Sequence, residues 1–397
     1  MQNYMKQPYV INIDSPILDD LRYRLTNARW IDDIDNDKWE TGTNADYLKE
    51  LCHYWAHGFD WKKNEAFLNS FSHFKASVDG TNIHFIHEKG KGKKTMPLLL
   101  IHGYPDSFVR FLKVIPLLTA VDDDYSFDIV VPSIPGYGFS EIPTQPGMNL
   151  KRIASLFTKL MVDELGYSNF IVHGGDWGSE IAEQISFTNP ETLTGIHLGD
   201  IPWQHLFTIS PDVLTEPEKK YLQAVQQRNQ SERGYAIIQS TKPQSLAYGL
   251  NDSPIGLAGW LVEKFYSWSD CNGNLETVFT KDEILTNLTI YWATQTINSA
   301  FRLYYEVGIA MQQEKKNKEI KKVEVPTAVA LFPRDLTPPR EFAERFFNVK
   351  QWTIMPKGGH FTAMEQPDLF AKDIRTFAKS LRSLPHREKV ADDSTKT

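Results

Sequence analysis

Apolar residues first recur at helical spacing along this chain and then switch to strict alternation. Leu18, Leu21, Leu25 and Trp30 form one series, and Tyr47, Leu48, Leu51, Trp55 and Phe59 form a second. Phe67, Phe71 and Phe74 extend the pattern. Residues 16–75 therefore read as helices whose aromatic stripe packs on the rest of the protein. From Phe74 to His87 the period becomes two around Asp79-Gly80, which predicts a hairpin. The run from Pro97 to Ile101 is apolar throughout, as in a strand covered on both faces of a parallel sheet.

Helical and strand patterns then alternate. Residues 108–118, 150–165 and 180–188 read as helices, and residues 127–131, 170–173 and 194–199 as strands. Such alternation predicts a doubly wound α/β sheet. It stops at residue 203, where a helical, aromatic-rich stretch runs to about residue 316. Strand patterns return at 327–332 and 351–355, and a helix over 367–381 closes the core. The chain thus divides into an N-terminal extension (1–95), a first core part (96–202), a helical lid (203–320), a second core part (321–385) and a polar tail (386–397). The tail is expected to be disordered, and the charge run from Lys315 to Lys322 to be a solvated face or linker.

Composition narrows the function classes. The chain has 397 residues, 41% of them hydrophobic, and a net charge of −7. That is enough for a large core and gives no basic field for nucleic acid. The 10 Trp, 16 Tyr and 23 Phe suit a deep apolar pocket as well as a core. Cys52 and Cys271 form neither a metal-spaced pair nor a disulfide framework, so no metal site is expected and a reducing, cytoplasmic setting fits. Residues 1–15 show no cleavable leader, and no apolar run is long enough to span a membrane, which predicts a soluble chain without a transmembrane anchor.

The sharpest chemical feature is Gly174-Gly175-Asp176-Trp177-Gly178-Ser179 between a strand and a helix. Gly-x-nucleophile-x-Gly in that setting is a nucleophile elbow, whose small flanking residues permit a tight turn. Here Asp176 stands at the centre. A carboxylate attacks an electrophilic sp³ carbon and forms an ester, and it is a poor acyl-transfer nucleophile.

Two further residues fall where such a site needs them. His360, in Gly358-Gly359-His360-Phe361, follows the last strand pattern and is a general-base candidate. Asp335, just after the strand ending at Phe332, is placed to fix the histidine tautomer. Asp252 and Glu365 are rival acids, and Asp335 is also readable as a helix cap. The turn His102-Gly103-Tyr104-Pro105 ends an earlier strand, and in such folds it lends the N–H of Tyr104 to an oxyanion hole with that of Trp177. A cis bond before Pro105 would aim Tyr104 sharply. His102, Pro105, Trp177 and Trp203 are expected to line the substrate pocket, with the other lid aromatics Phe265, Tyr266, Trp268 and Trp292 shaping it.

Together these motifs resemble the epoxide hydrolases of the α/β-hydrolase fold, in particular the microsomal and juvenile-hormone type with its helical N-terminal extension. The likeness runs from Leu21-Arg-Tyr-Arg-Leu25 and Arg29-Trp30 through His102–Phe108, Gly175–Gly178 and Leu250–Leu257 to Gly358–Phe361. It implies an α/β-hydrolase fold with an inserted helical lid, and conversion of epoxides to vicinal diols with water and no cofactor. It also implies two lid tyrosines that activate the epoxide oxygen, matching Tyr235 in Gly234-Tyr235 and Tyr304 in Ser299-Ala-Phe-Arg-Leu-Tyr304. Tyr305 is adjacent and competes for the second place. Tyr104 stands where many mammalian relatives carry Trp, and the membrane anchor of some members is not expected here. A haloalkane or haloacid dehalogenase using the same aspartate, and a non-catalytic ligand sensor, are the alternatives. Whether the chain forms a homodimer is left open, as is the choice of epoxide.

Overall fold

The computed structural model describes residues 6–123, 125–314 and 321–382. The tail after Pro385 and the charge run up to residue 320 lie outside the described residues; Lys321 and Lys322 are exposed. A short strand β1 (Gln7–Pro8) precedes helices α1 (Ser15–Thr26), α2 (Ala45–His57) and α3 (Trp61–Leu68). Then come β2 (His73–Val78), β3 (Thr81–Glu88), β4 (Lys94–Ile101), α4 (Ile115–Thr119), β5 (Tyr125–Pro132), α5 (Leu150–Lys159), β6 (Phe170–Gly174), α6 (Trp177–Thr188) and β7 (Leu193–Leu198). Six helices follow: α7 (Glu216–Glu232), α8 (Gly234–Thr241), α9 (Pro243–Asp252), α10 (Pro254–Trp268), α11 (Lys281–Thr294) and α12 (Ile297–Glu314). The core resumes with β8 (Val323–Leu331), α13 (Arg340–Glu344), β9 (Phe347–Ile354), α14 (Thr362–Glu365) and α15 (Pro367–Arg382).

The strands form one sheet in the order β1-β2-β3-β5-β4-β6-β7-β8-β9. The hairpin β2–β3 turns at Asp79 and Gly80, both with positive φ, and joins β5 antiparallel. From β5 to β9 all neighbours are parallel. The chain goes from β4 to β5 on one side and then returns to β6 on the other. That reversal opens a crevice at the carboxyl ends of β4 and β6, where ligands bind in open α/β sheets. Leu98 to Ile101 of β4 and Phe170 to Val172 of β6 are fully buried. Each such side chain contributes roughly 1.5–3 kcal/mol, so the crevice floor is held by the firmest part of the core.

Several expected helices are shorter than the apolar pattern suggests. α1 stops at Thr26 because the Asn27 amide caps the Tyr23 carbonyl at 2.8 Å, which leaves Trp30 outside it and 38% exposed. α3 stops at Leu68 because the Asn69 side chain bonds both the N–H and the C=O of Ile11, at 2.9 and 2.8 Å. Residues 108–118 form a 3₁₀ turn (Phe108–Phe111) and then α4, in which Pro116, lacking an N–H, sits in the first turn. α5 ends at Lys159 in a wider turn over Leu160–Glu164.

Helices α7 to α12 are inserted between β7 and β8 and sit over the crevice. Asn287 of α11 donates to the Pro105 carbonyl at 2.9 Å, and Tyr291 to that of Asp106 at 3.0 Å. The N-terminal helices brace this lid in turn. The Trp55 indole donates to Thr289 at 2.9 Å, and the Tyr54 hydroxyl to Asp282 at 2.8 Å. Arg24 pairs with Asp252 at 2.7 Å on the outer surface, which takes that rival acid out of the site.

Candidate active site

β6 ends at Gly174 and α6 begins at Trp177, so Asp176 sits between them at φ 56°, ψ −130°. Such a backbone costs about 1–3 kcal/mol and persists only where the surroundings enforce it. A Cβ on Gly178 would overlap the Ile101 carbonyl, and one on Gly174 would overlap the Gly178 carbonyl, so both positions require glycine. The Asp176 N–H faces both oxygens of Asp200 at 3.2 Å, which pins the turn from below.

The Asp176 carboxylate is held by one oxygen. Its Oδ1 accepts from the Tyr104 N–H at 2.9 Å and the Trp177 N–H at 2.7 Å. The Tyr104–Pro105 bond is cis, and the first N–H of α6, that of Trp177, aims at the carboxylate. Oδ2 is turned toward His360, 3.7 Å from Nε2. Burial pushes the Asp176 carboxyl above the usual range, opposed by His360 and the two backbone N–H groups.

His360 lies on the loop after β9, and its Nδ1 is 3.1 Å from Asp335 Oδ2. With Nδ1 protonated toward that carboxylate, Nε2 is left as the acceptor, and it has no hydrogen-bond partner among the described residues. Burial lowers the imidazole pKa, but the hydrogen bond and charge of Asp335 outweigh it and raise the net value above the ordinary one. Burial acts on Asp335 in the opposite sense, and bonds from His360 and Arg228 hold it well below the carboxylate range. Asp335 is not a helix cap: α13 is preceded by Pro339. Glu365, the other rival acid, accepts the N–H groups of Asp270, Gly359 and Phe361 at 2.8–3.0 Å and so builds the histidine loop. Buried Arg110 ties that loop to the Tyr104 turn, bonding the His360 carbonyl at 3.1 Å and pairing with Asp106.

A cavity of ≈ 630 Å³ opens above these groups, and Asp176, Asp335 and His360 reach its wall. Tyr235 of α8 and Tyr304 of α12 line it, with ring centroids 5.9 Å apart. Tyr304 also stands edge-on to Trp177 at 4.5 Å. Tyr305 points elsewhere, beneath the guanidinium of Arg302, so of the two neighbours only Tyr304 faces the cavity. Burial and the Asp176 charge raise the pKa of both cavity tyrosines, which keeps their protons on.

Trp177 and Trp203 line the cavity as expected, but His102 and Pro105 do not. His102 is fully buried beneath the turn and accepts the Ile134 N–H at 3.1 Å, and burial pushes its pKa down to about 4. Pro105 is covered by α11 through Asn287. Both shape the Tyr104 turn instead of touching the cavity. Of the four further lid aromatics expected to shape the cavity, Trp268 reaches the wall and Phe265, Tyr266 and Trp292 do not, while Phe207 and Tyr221 line it as well; Phe265 stacks on Phe361 at 4.4 Å in the core behind it.

The sequence pattern does not mark several polar wall residues, among them Arg228, Asp200 and Glu180. Arg228 of α7 donates to Asp335 Oδ1 at 2.7 Å. Asp200 follows β7, and burial pushes its pKa up to about 6. Burial, with Glu183 and Asp200 nearby, raises that of Glu180 well above the ordinary range. An acid at a strand end is a readable signal for Asp200, of the kind that marked Asp335; Arg228 lies in a polar helix and gives none. Among the described residues no cluster of His, Cys, Asp or Glu is arranged to hold a metal ion, and no helix is long and apolar enough to cross a membrane.

Known proteins match this chain along nearly all its length. Residues 6–111 match the epoxide hydrolase N-terminus family, and residues 96–255 the alpha/beta hydrolase fold family. Epoxide hydrolase 1 of Oryctolagus cuniculus is 35% identical over 94% of this chain and 88% of its own. Juvenile hormone epoxide hydrolase 2 of Ctenocephalides felis is 34% identical over 96% and 87%. The crystal structure of juvenile hormone epoxide hydrolase from the silkworm Bombyx mori superposes with a TM-score of 0.84 at 31% identity, covering 96% of each chain. Neither the dehalogenase nor the sensor reading is favoured by these relatives. With this fold, and with such identity over so much of both chains, the protein belongs to the epoxide hydrolases of the α/β-hydrolase fold.

Proposed function

We propose that the chain converts epoxides to vicinal diols in two covalent half-reactions on Asp176. The observation that carries this reading is the double anchoring of Asp176 Oδ1 by the N–H groups of Tyr104 and Trp177, with Oδ2 left facing the cavity. In the first step Oδ2 attacks an epoxide carbon and the C–O bond of the ring breaks. Tyr235 and Tyr304 hydrogen-bond the ring oxygen, and one of them gives the alkoxide its proton. An alkyl ester of Asp176 results.

In the second step His360, oriented by Asp335, takes a proton from water, and the hydroxide adds to the ester carbon. The negative charge then develops on Oδ1, which already lies at hydrogen-bond distance from two N–H donors, so little reorganisation is needed. Collapse breaks the ester C–O bond, and the leaving alkoxide takes the proton of the added hydroxyl, which releases the diol and restores the carboxylate. The proton taken up by His360 balances the one lost by the tyrosine.

The wall of Trp177, Trp203, Ile201, Leu206 and Trp268 favours an apolar body on the epoxide. A panel of styrene-like, aliphatic and terpenoid epoxides, assayed with the wild type and Asp176→Ala, tests the reading. Diol from the wild type and none from the variant is expected; diol formed equally by both would overturn it.

A further inference from the structure

Arg228 stands near the end of α7, 107 positions before the acid it touches. Its Nη1 lies 2.7 Å from Asp335 Oδ1, while Oδ2 of the same carboxylate lies 3.1 Å from His360 Nδ1. The carboxylate therefore bridges a lid cation and the imidazole. α7 is docked at its other end as well, where Glu218 of the first turn pairs with Arg345 beside α13 at 2.6 and 2.9 Å. Two ion pairs thus seat this helix on the second core part, and one of them includes the acid that orients the histidine.

We propose that Arg228 is a positioning residue for ester hydrolysis: it fixes the Asp335 carboxylate for His360 and makes that orientation depend on the seating of α7. The proposal rests on His360 and Asp335 acting as base and orienting acid. Asp335 lies in a loop, tied locally by its own N–H to the Phe332 carbonyl and by the Leu336 N–H to Oδ1. Without the guanidinium the carboxylate loses its only side-chain partner besides the histidine among the described residues, and a small misplacement of a catalytic group is costly. Arg228 also draws Asp335 charge away from the imidazole, which keeps His360 a weaker base that is neutral at a lower pH. The other charged groups facing His360 are Arg110, Asp200, Glu365 and Asp176, and Asp176 is neutral once esterified.

The test follows one turnover by rapid quench and mass spectrometry, reading ester formation and ester hydrolysis separately across pH. Arg228→Gln is expected to leave ester formation within about twofold and to slow hydrolysis on the order of tenfold or more. The acid limb of hydrolysis should move up by about one pH unit, since the undivided Asp335 charge stabilises the imidazolium. Arg228→Lys restores the cation and should return both the rate and the limb toward wild type. Arg228→Met, which keeps the bulk of the chain, takes the place of the glutamine variant if that one does not fold. Hydrolysis with the wild-type rate and pH profile in Arg228→Gln or Arg228→Met would overturn the proposal, whatever happens to melting temperature. His360→Gln measured alongside separates the two failures: if it accumulates no ester, the base reading falls and this proposal with it.

Discussion

Oδ2 of Asp176 lies 3.7 Å from Nε2 of His360. That exceeds a hydrogen bond, so the imidazole is not tied to Asp176 and, on the proposed mechanism, is free to hold a water against the ester carbon. His360→Gln should therefore form the ester and fail to release it. Intact-mass analysis is expected to show one substrate mass added per enzyme, with steady turnover reduced on the order of 10²–10⁴-fold. Repeated turnover at the wild-type rate would remove His360 from the mechanism.

Gly103 sets the seat of the Asp176 carboxylate. A Cβ there would meet the Asp176 side chain, with Cγ at 2.6 Å and Oδ1 and Cβ nearer still. Gly103→Ala should push the carboxylate off the Tyr104 and Trp177 N–H groups. Both half-reactions are expected to fall by about 10²-fold or more, the usual scale for a lost oxyanion donor, while far-ultraviolet circular dichroism is unchanged. Retained activity in a folded variant would contradict the seating.

Tyr235 and Tyr304 face the same cavity as Asp176, and burial raises the pKa of both. Single Phe substitutions should slow ester formation by about tenfold to 10²-fold each, and the double substitution by more than either. Hydrolysis of ester already formed should change much less. A drop confined to hydrolysis would reverse the assignment of these hydroxyls to the first step.

The carboxyl of Asp200 carries a stability cost that depends on pH. Its pKa is pushed up to about 6 in the folded protein, against about 3.9 when unfolded. Between these values the folded state binds the extra proton, so stability falls as pH rises from about 4 to about 6, and the full cost is present above that. Asp200→Asn keeps an acceptor for the Asp176 N–H and removes the charge. Melting temperature should rise at pH 8 relative to wild type and show little gain at pH 4; an equal gain at both would mean that burial of this charge is not the cause.

What the sequence displays and what it hides differ in kind. Asp176, Asp335 and His360 each follow a strand pattern, and a parallel sheet delivers its strand ends to one crevice, so chain order alone brings them together. Tyr235 and Tyr304 sit on helices whose apolar and aromatic patterns resemble ordinary packing, and only likeness to a family marked them. Arg228 and Asp335 meet across 107 positions because α7 folds back on the core, and no local pattern encodes that contact. Apolar periodicity overruns the helix ends where a single side chain wins over it, as Asn27 and Asn69 do by capturing backbone groups. His102 and Pro105 flank Tyr104 in sequence and are expected at the cavity wall, but the turn points them into the core and under α11.

The central claim is the covalent ester on Asp176, and a single turnover in ¹⁸O-water tests it most directly. Excess enzyme is mixed with limiting epoxide, the diol is isolated, and the peptide containing Asp176 is analysed by mass spectrometry. The first diol should carry an oxygen from the carboxylate and little label, while the label appears in Asp176. Label in the diol and none in that peptide would mean direct attack by water, and would contradict the account.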